Sequence, residues 1–202
     1  MPTPDGAPPR APNRGPAAAA DNRRALLDAA RRLFAEQGLD VPYRAIALEA
    51  GVGQGSLYRH FPTRLDLALA IFQENFTELE AAAASPGPSA FADVWRLVIE
   101  QTLASAAFVE VAVQARRELD DDTMAGRLAD VLAGPLDRAQ AAGLVDARWD
   151  VDQLVLVHRM AYGVLVTEVD PERARAAVLR ALALVDPALA DPLTRGATSS
   201  SG

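Results

Sequence analysis

The sequence contains no cysteine. That removes disulfide frameworks, thiolate metal sites and a cysteine nucleophile together. Histidine is almost missing too: His60 and His158 are the only two, far apart in the chain. A histidine-built metal site is therefore excluded, and little equipment for acid–base catalysis remains. No phosphate loop, nucleophile elbow or metal-spaced carboxylate set appears. No catalytic residue, metal or cofactor is expected, and an enzyme is the least supported reading. Lysine is absent, so all 20 basic residues are Arg; with abundant Ala this reads as a GC-rich coding bias and says nothing of function. Aromatics are only 5% of the chain, which leaves the core to aliphatic side chains and Ala. No apolar run reaches the roughly 20 residues that span a bilayer, and the first residues lack a signal peptide's apolar stretch. The expectation is a cytoplasmic protein that does not engage membrane.

What is present favours helix. Half of the 202 residues are hydrophobic, and Ala, Leu and Arg head the helix-propensity scale. The length suits one medium domain, or a small and a larger one sharing a core. The net charge of −7 argues at first against nucleic acid, but its distribution reverses that. Residues 1–64 carry nine Arg against six acids, while the remainder carries eleven Arg against twenty-one. A mildly basic head on an acidic body suits a protein whose head alone meets an anionic surface.

Residues 1–20, rich in Pro, Ala and Gly, are expected to be a disordered leader. A first helix is expected over 22–37, capped by Asp21, with Leu26, Ala30, Leu33 and Phe34 on one face and Gly38 then Leu39 ending it. A second starts near Pro42 and turns Ile46, Ala47 and Ala50 inward. Gly51, Val52 and Gly53 form a turn, with Val52 in the core. A short third helix over 54–61 is stopped by Pro62. Thr63 and Asp66 form a capping-box-like pair for a fourth, whose apolar face is read as Leu65, Leu69, Phe72 and Phe76. After the break at residues 85–88, helices are expected around Phe91 to Thr102 and over 106–119, 123–142, 150–169 and from Pro171 to before Pro187. Gly134-Pro135 is expected to kink the third of these, and Asp150 with Gln153 to cap the fourth. The Gly/Ser-rich residues 191–202 read as a loose tail. No strand-period segment and no repeat survive, so the fold class is all-α.

Two short helices joined by a Gly-containing turn describe a helix-turn-helix over 43–62. At about 100° per residue, Leu57 and Phe61 share the buried face of the third helix. Gly55 and Arg59 then point outward, with Gln54 and Tyr58 on one flank and Ser56 and His60 on the other. That is what a recognition helix needs. Gly55 lets the backbone approach the groove floor. Arg59 can be bidentate to guanine and Gln54 can read adenine, while Ser56, Tyr58 and His60 can donate to phosphates. Arg44 and Arg64 sit at the starts of helices, where the dipole disfavours a cation and a phosphate would remove the conflict. Each has a plainer alternative: Tyr58 packing its ring, His60 as a structural histidine, Arg44 as a solvated charge.

The stretch from Asn22 to Phe72, above all "IALEAGVGQGSLYRHFPTRLDL" from Ile46 to Leu67, resembles the TetR family of bacterial transcriptional regulators. The resemblance implies an all-α homodimer. Its N-terminal helix-turn-helix DNA-binding domain (21–66) would be joined to a C-terminal helical ligand-binding and dimerisation domain (67–190). It also implies phosphate contacts at Tyr58, His60 and Arg64, and places Arg44, Gln54, Gly55, Ser56 and Arg59 at or near bases. Three positions depart from the family pattern. Gly53 stands where a capping Ser is frequent, and Gln54 and Arg64 stand where Lys is frequent.

By helix order, the resemblance assigns dimer formation to the last two body helices. Val151, Leu154, Val155, Leu165, Val178, Leu179 and Leu182 are the expected interface, with Ala161 and Gly163 permitting close approach; packing within one subunit is the alternative. Candidate pocket liners are Phe72, Phe76, Trp95, Ile99, Gln101, Thr102, Phe108, Gln114, Met124, His158 and Tyr162, each of which also suits ordinary core. Their mix of apolar walls with a few polar groups suggests a small apolar or amphipathic ligand. The function expected is a repressor on a pseudo-palindromic double-stranded operator, released by that ligand. The alternative is a DNA-binding regulator controlled by a protein partner or by no effector.

Overall fold

The computed structural model describes residues 16–37, 40–104, 121–168 and 170–198. Among these the chain forms α1 (Pro16–Gln37), α2 (Tyr43–Glu49), α3 (Gln54–His60), α4 (Arg64–Ala83), α5 (Ala90–Ala104), α6 (Asp121–Ala141), α7 (Val151–Thr167), α8 (Pro171–Val185) and α9 (Pro187–Thr198). No strand occurs among the described residues. The helix expected over 106–119 and the Gly38–Leu39 cap lie outside them.

Side chains gather into two cores. The first holds Leu26, Leu27, Ala30 and Phe34 of α1, Ile46 and Ala47 of α2, Leu57 and Phe61 around α3, and Leu67, Ala68 and Ile71 of α4. The second runs from Phe76 and Leu79 of α4 through α5, α6, α7 and α8 to Leu193 of α9. The early turns of α4 therefore serve the head and the later turns serve the body. The 66/67 division expected from sequence falls in the first turn of a helix that belongs to both. The face read as Leu65, Leu69, Phe72 and Phe76 is corrected on the same ground. Leu67, Ala68 and Ile71 are the buried residues of the first half, and of the expected set only Phe76 is buried.

Capping decides several boundaries. Thr63 and Asp66 close a full capping box at α4, and Asp150 and Gln153 close another at α7. Pro171 begins α8 and the helix ends at Val185. At the end of α6, Gly143 takes a φ of +69°. Its N–H reaches Gln140 O at 2.9 Å and that of Leu144 reaches Ala139 O at 2.9 Å, the paired bonds of a glycine-terminated helix.

Two expected boundaries are corrected. Helix α1 starts at Pro16, so Asp21 lies inside it and pairs with Arg24. Pro fits the first helical position, and the Ala run 17–20 has the highest helix propensity available. At the other end, α9 continues to Thr198 in place of a loose tail. Leu189, Ala190 and Leu193 recur at helical spacing and are buried in the body core, which holds the segment despite Pro192 within it. Trp95 fixes it further: its ring lies parallel to Phe91 with centroids 6.3 Å apart, and its indole N–H donates to Leu189 O at 2.9 Å.

The residues expected at a dimer face pack largely within the subunit. Leu154, Leu165, Val178 and Leu182 lie inside the body core, and Val151, Val155 and Leu179 pack against it; Ala161 is buried with them. Helices α7 and α8 pack on each other, and α7 carries apolar residues on two sides, of which the denser one faces its own subunit. Turned outward instead are Leu156 (56% exposed), Met160 (51%) and Val166 (40%) of α7, and Leu184 (88%) of α8.

Candidate nucleic-acid interface

The turn between α2 and α3 follows from one residue. Gly51 adopts φ +65°, a left-handed conformation that costs an L side chain about 1–2 kcal/mol. Its N–H bonds to Leu48 O at 3.0 Å, and Val52 N–H bonds to Ala47 O at 2.9 Å, while Val52 packs partly into the head core. The chain thus leaves α2 at a fixed angle. Gly53 caps α3 without any side-chain acceptor.

Helix α3 is anchored on Leu57, fully buried, and on Phe61 just beyond it, 2% exposed. Arg23 of α1 lies over the Phe61 ring, 5.4 Å from its centroid. With that side fixed, Gln54, Gly55, Tyr58 and Arg59 are exposed, while Ser56 and His60 are half-buried on the flank. An added Cβ at Gly55 would meet nothing within 4 Å, so the outer edge of α3 is open. Arg59 folds back on its own helix, donating from Nε to Gly55 O at 3.2 Å and from Nη2 to Ser56 Oγ at 2.8 Å. Both bonds must be exchanged before Arg59 can reach a base. The His60 ring is tilted against Phe61. Arg44 is exposed on α2.

Arg64 does not extend into solvent at the start of α4. It lies over the ring of Tyr43, 5.8 Å from the centroid, and Tyr58 meets that ring edge-on at 5.2 Å. Nothing local in the sequence singles out Tyr43 beyond its opening the motif, yet it joins α2, α3 and α4. Its hydroxyl is buried without a hydrogen-bond partner, and burial pushes its pKa up to about 12.

Ionic links tie the head to the body. Glu74 of α4 pairs with Arg23 at 3.2 Å and Arg31 at 3.1 Å, both from α1. Arg31 also donates to Asn75 Oδ1 at 3.2 Å and lies 4.0 Å from Glu78. Glu78 in turn accepts from Gln101 of α5 at 3.1 Å. These partners are tens of residues apart, so no local pattern announces them.

The candidate pocket residues do not form one group. Phe76, Trp95 and Ile99 are core, and Gln101 turns to Glu78 and Asn75 O. Thr102 and His158 are brought together: Thr102 donates to Val98 O at 2.7 Å and lies 2.9 Å from His158 Nε2. Because the hydroxyl proton is committed to Val98, Thr102 accepts from the imidazole N–H. Phe72 and Tyr162 are half-buried. Phe108 and Gln114 lie outside the described residues, as does the side chain of Met124. A separate groove of about 430 Å³ opens between α4 and α6, walled by Glu80, Arg127, Asp130 and Arg138 beside Gly134 and Pro135; it uses none of the expected liners.

Residues 26–71 match the family described as "Bacterial regulatory proteins, tetR family". A 58-residue stretch is 38% identical to an HTH-type transcriptional regulator of Staphylococcus aureus, spanning 28% of this chain and 31% of that protein. The match thus covers about a third of the length of such curated relatives. Solved structures extend the similarity across the body. A TetR transcriptional regulator from Streptomyces coelicolor is 29% identical with a TM-score of 0.63, over 81% of this chain and 95% of that one. The TetR transcription regulatory protein from Mycobacterium vanbaalenii is 32% identical with a TM-score of 0.53, over 80% and 95%.

Proposed function

The chain belongs to the TetR family of bacterial regulatory proteins, and from that premise we propose a homodimeric, cytoplasmic repressor that reads a pseudo-palindromic operator and is released by a small apolar or amphipathic ligand. The observation that carries the DNA reading is the geometry of α3. A helix pinned by Leu57 and Phe61 presents Gln54, Gly55 and Arg59 along one open edge. Arg59 reads guanine and Gln54 adenine, while Arg44, Ser56, Tyr58, His60 and Arg64 seat the head on bases and backbone around them.

Dimer formation uses the outward face of α7 and α8. Leu156, Met160 and Val166 lie exposed on one helix and Leu184 on the next. An added Cβ at Gly163, between Met160 and Val166, would meet nothing within 4 Å, which leaves room for a second helix to approach. A twofold axis through this face makes it self-complementary.

Release acts through α4. That helix is packed in both cores, and Glu74 and Glu78 fasten it to Arg23 and Arg31 of the head. A ligand that binds more tightly to one placement of α4 shifts the spacing of the heads, which must stand about 34–36 Å apart to meet successive half-sites. Thr102 is the one polar side chain buried in the body core among the described residues, and with His158 it gives such a ligand its polar contact. Selection from a random duplex pool tests the reading. The expected product is an inverted repeat with half-sites one helical turn apart; a pool that stays unenriched would contradict it.

A further inference from the structure

At the junction of α2, α3 and α4, two buried polar atoms have no hydrogen-bond partner: the Tyr43 hydroxyl and Nη1 of Arg64. Tyr43 is 9% exposed. A phenylalanine would fill the same space without burying an unpaired hydroxyl, which is costly. The one carboxylate in the first turn of α4, Asp66, is already engaged by the backbone N–H and hydroxyl of Thr63, at 2.9 and 2.7 Å. Arg64 makes no ion pair among the described residues and rests on the Tyr43 ring. Tyr58, half exposed, completes the group through its edge contact with the same ring.

All three groups are donors. The guanidinium is always charged, and burial pushes the Tyr43 phenol up to about 12, so it keeps its proton. Three groups able to donate, one of them cationic and none anionic, suit an anion with several oxygens. Arg64 and Tyr58 rest against the Tyr43 ring and are held there by ring contacts, so both can swing outward without breaking a hydrogen bond. We infer that Tyr43, Tyr58 and Arg64 form a single seat for one DNA backbone phosphate, in which the Tyr43 hydroxyl, uncovered as Arg64 moves onto the phosphate, becomes a third donor. The inference rests on the DNA-binding reading above and adds a contact residue from the start of α2. A backbone contact carries no base information, so the seat strengthens binding to every sequence.

The test is Tyr43→Phe in the full chain, measured against a duplex selected by the wild-type protein and an unrelated duplex of equal length. Affinity for both should fall about tenfold per head, with the melting temperature unchanged or raised. The salt slope should stay as in wild type, because a neutral hydroxyl releases no counterion, whereas Arg64→Ala should reduce it by about one per head. A scan of neutral methylphosphonates along the selected duplex should find one phosphate per half-site whose replacement weakens wild type more than it weakens Tyr43→Phe, and Arg64→Ala least. Wild-type affinity in Tyr43→Phe would overturn the seat alone. Lost affinity with a lowered melting temperature would also overturn it, by making the hydroxyl structural. A wild-type protein that binds neither duplex would remove the DNA-binding reading and the seat with it.

Discussion

Replacing Leu156 by Asp should separate the subunits while leaving each one folded. Leu156 is 56% exposed on the outward face of α7, so roughly half its surface remains for a partner to cover. Full burial of a leucine side chain stabilises by about 1.5–3 kcal/mol, and half of that is about 0.75–1.5 kcal/mol. A twofold interface counts it twice, so truncation alone should weaken association by about 1.5–3 kcal/mol, or some 12- to 150-fold. A carboxylate adds the cost of desolvating a charge that must stay charged or take up a proton. The total should exceed about 4 kcal/mol, a thousandfold or more. Within one subunit Leu156 is not a core residue, and the change costs the propensity difference, about 0.5 kcal/mol, plus about 1 kcal/mol for the half of the side chain already covered. Sedimentation velocity at micromolar concentration should therefore show a folded monomer, and operator affinity should collapse with it. The control Leu154→Asp, at a fully buried position, should unfold the protein instead. A Leu156→Asp protein that still sediments as a dimer would refute the assignment of this face.

Further outcomes follow from the same coordinates. Arg59→Ala should cost about 1–3 kcal/mol on the selected duplex and relax specificity at one base pair per half-site; unchanged specificity in a binding-site selection would place the reading edge elsewhere. Gly163→Ala should stabilise the isolated subunit by about 0.5–1 kcal/mol, since Gly is the poorer helix former, and weaken association by filling the space between subunits; denaturation and sedimentation should move in opposite directions. Asp186 accepts from the Ala188 N–H and from the side chains of Trp149 and Arg148, which hold its carboxyl below the ordinary aspartate value of 3.8. Its contribution is therefore complete above that value and is lost as pH falls through the lower folded-state value. Asp186→Asn takes a charged acceptor from the Arg148 and Trp149 donors and should cost about 1 kcal/mol at pH 7, with the gap from wild type closing as the solution is acidified; a gap independent of pH in denaturant titrations would count against an ionised acceptor.

The sequence was most legible where chemistry is local. Thr63 with Asp66, Asp150 with Gln153, and the glycine turn at Gly51 each declare themselves within a few residues, and so does the alternation of Leu57 and Phe61 with Gly55 and Arg59. It was least legible where one helix serves two masters. Helix α4 packs into both cores, so no single stripe describes it. Helix α7 is apolar on both sides, and nothing local tells Leu154, which faces its own subunit, from Leu156, which does not. Composition misled at both ends: the Pro/Ala leader yields a helix from Pro16, and the segment around Pro192 is held helical by Leu189 and Leu193 against distant Trp95. Tyr43 escaped notice because its importance lies in a hydroxyl without a partner, which only three-dimensional packing reveals. The links from Arg23 and Arg31 to Glu74 are likewise invisible until α1 and α4 lie side by side.

The central claim is a dimeric operator binder, and titration of the purified protein onto the intergenic DNA upstream of its own reading frame tests it most directly. At about 150 mM salt, where nonspecific association is weak, the account predicts saturation at two protomers per site, with affinity well above that for scrambled DNA of equal length. Equal, weak binding to both duplexes would contradict an operator there, and no binding to any duplex even at low salt would contradict the claim itself.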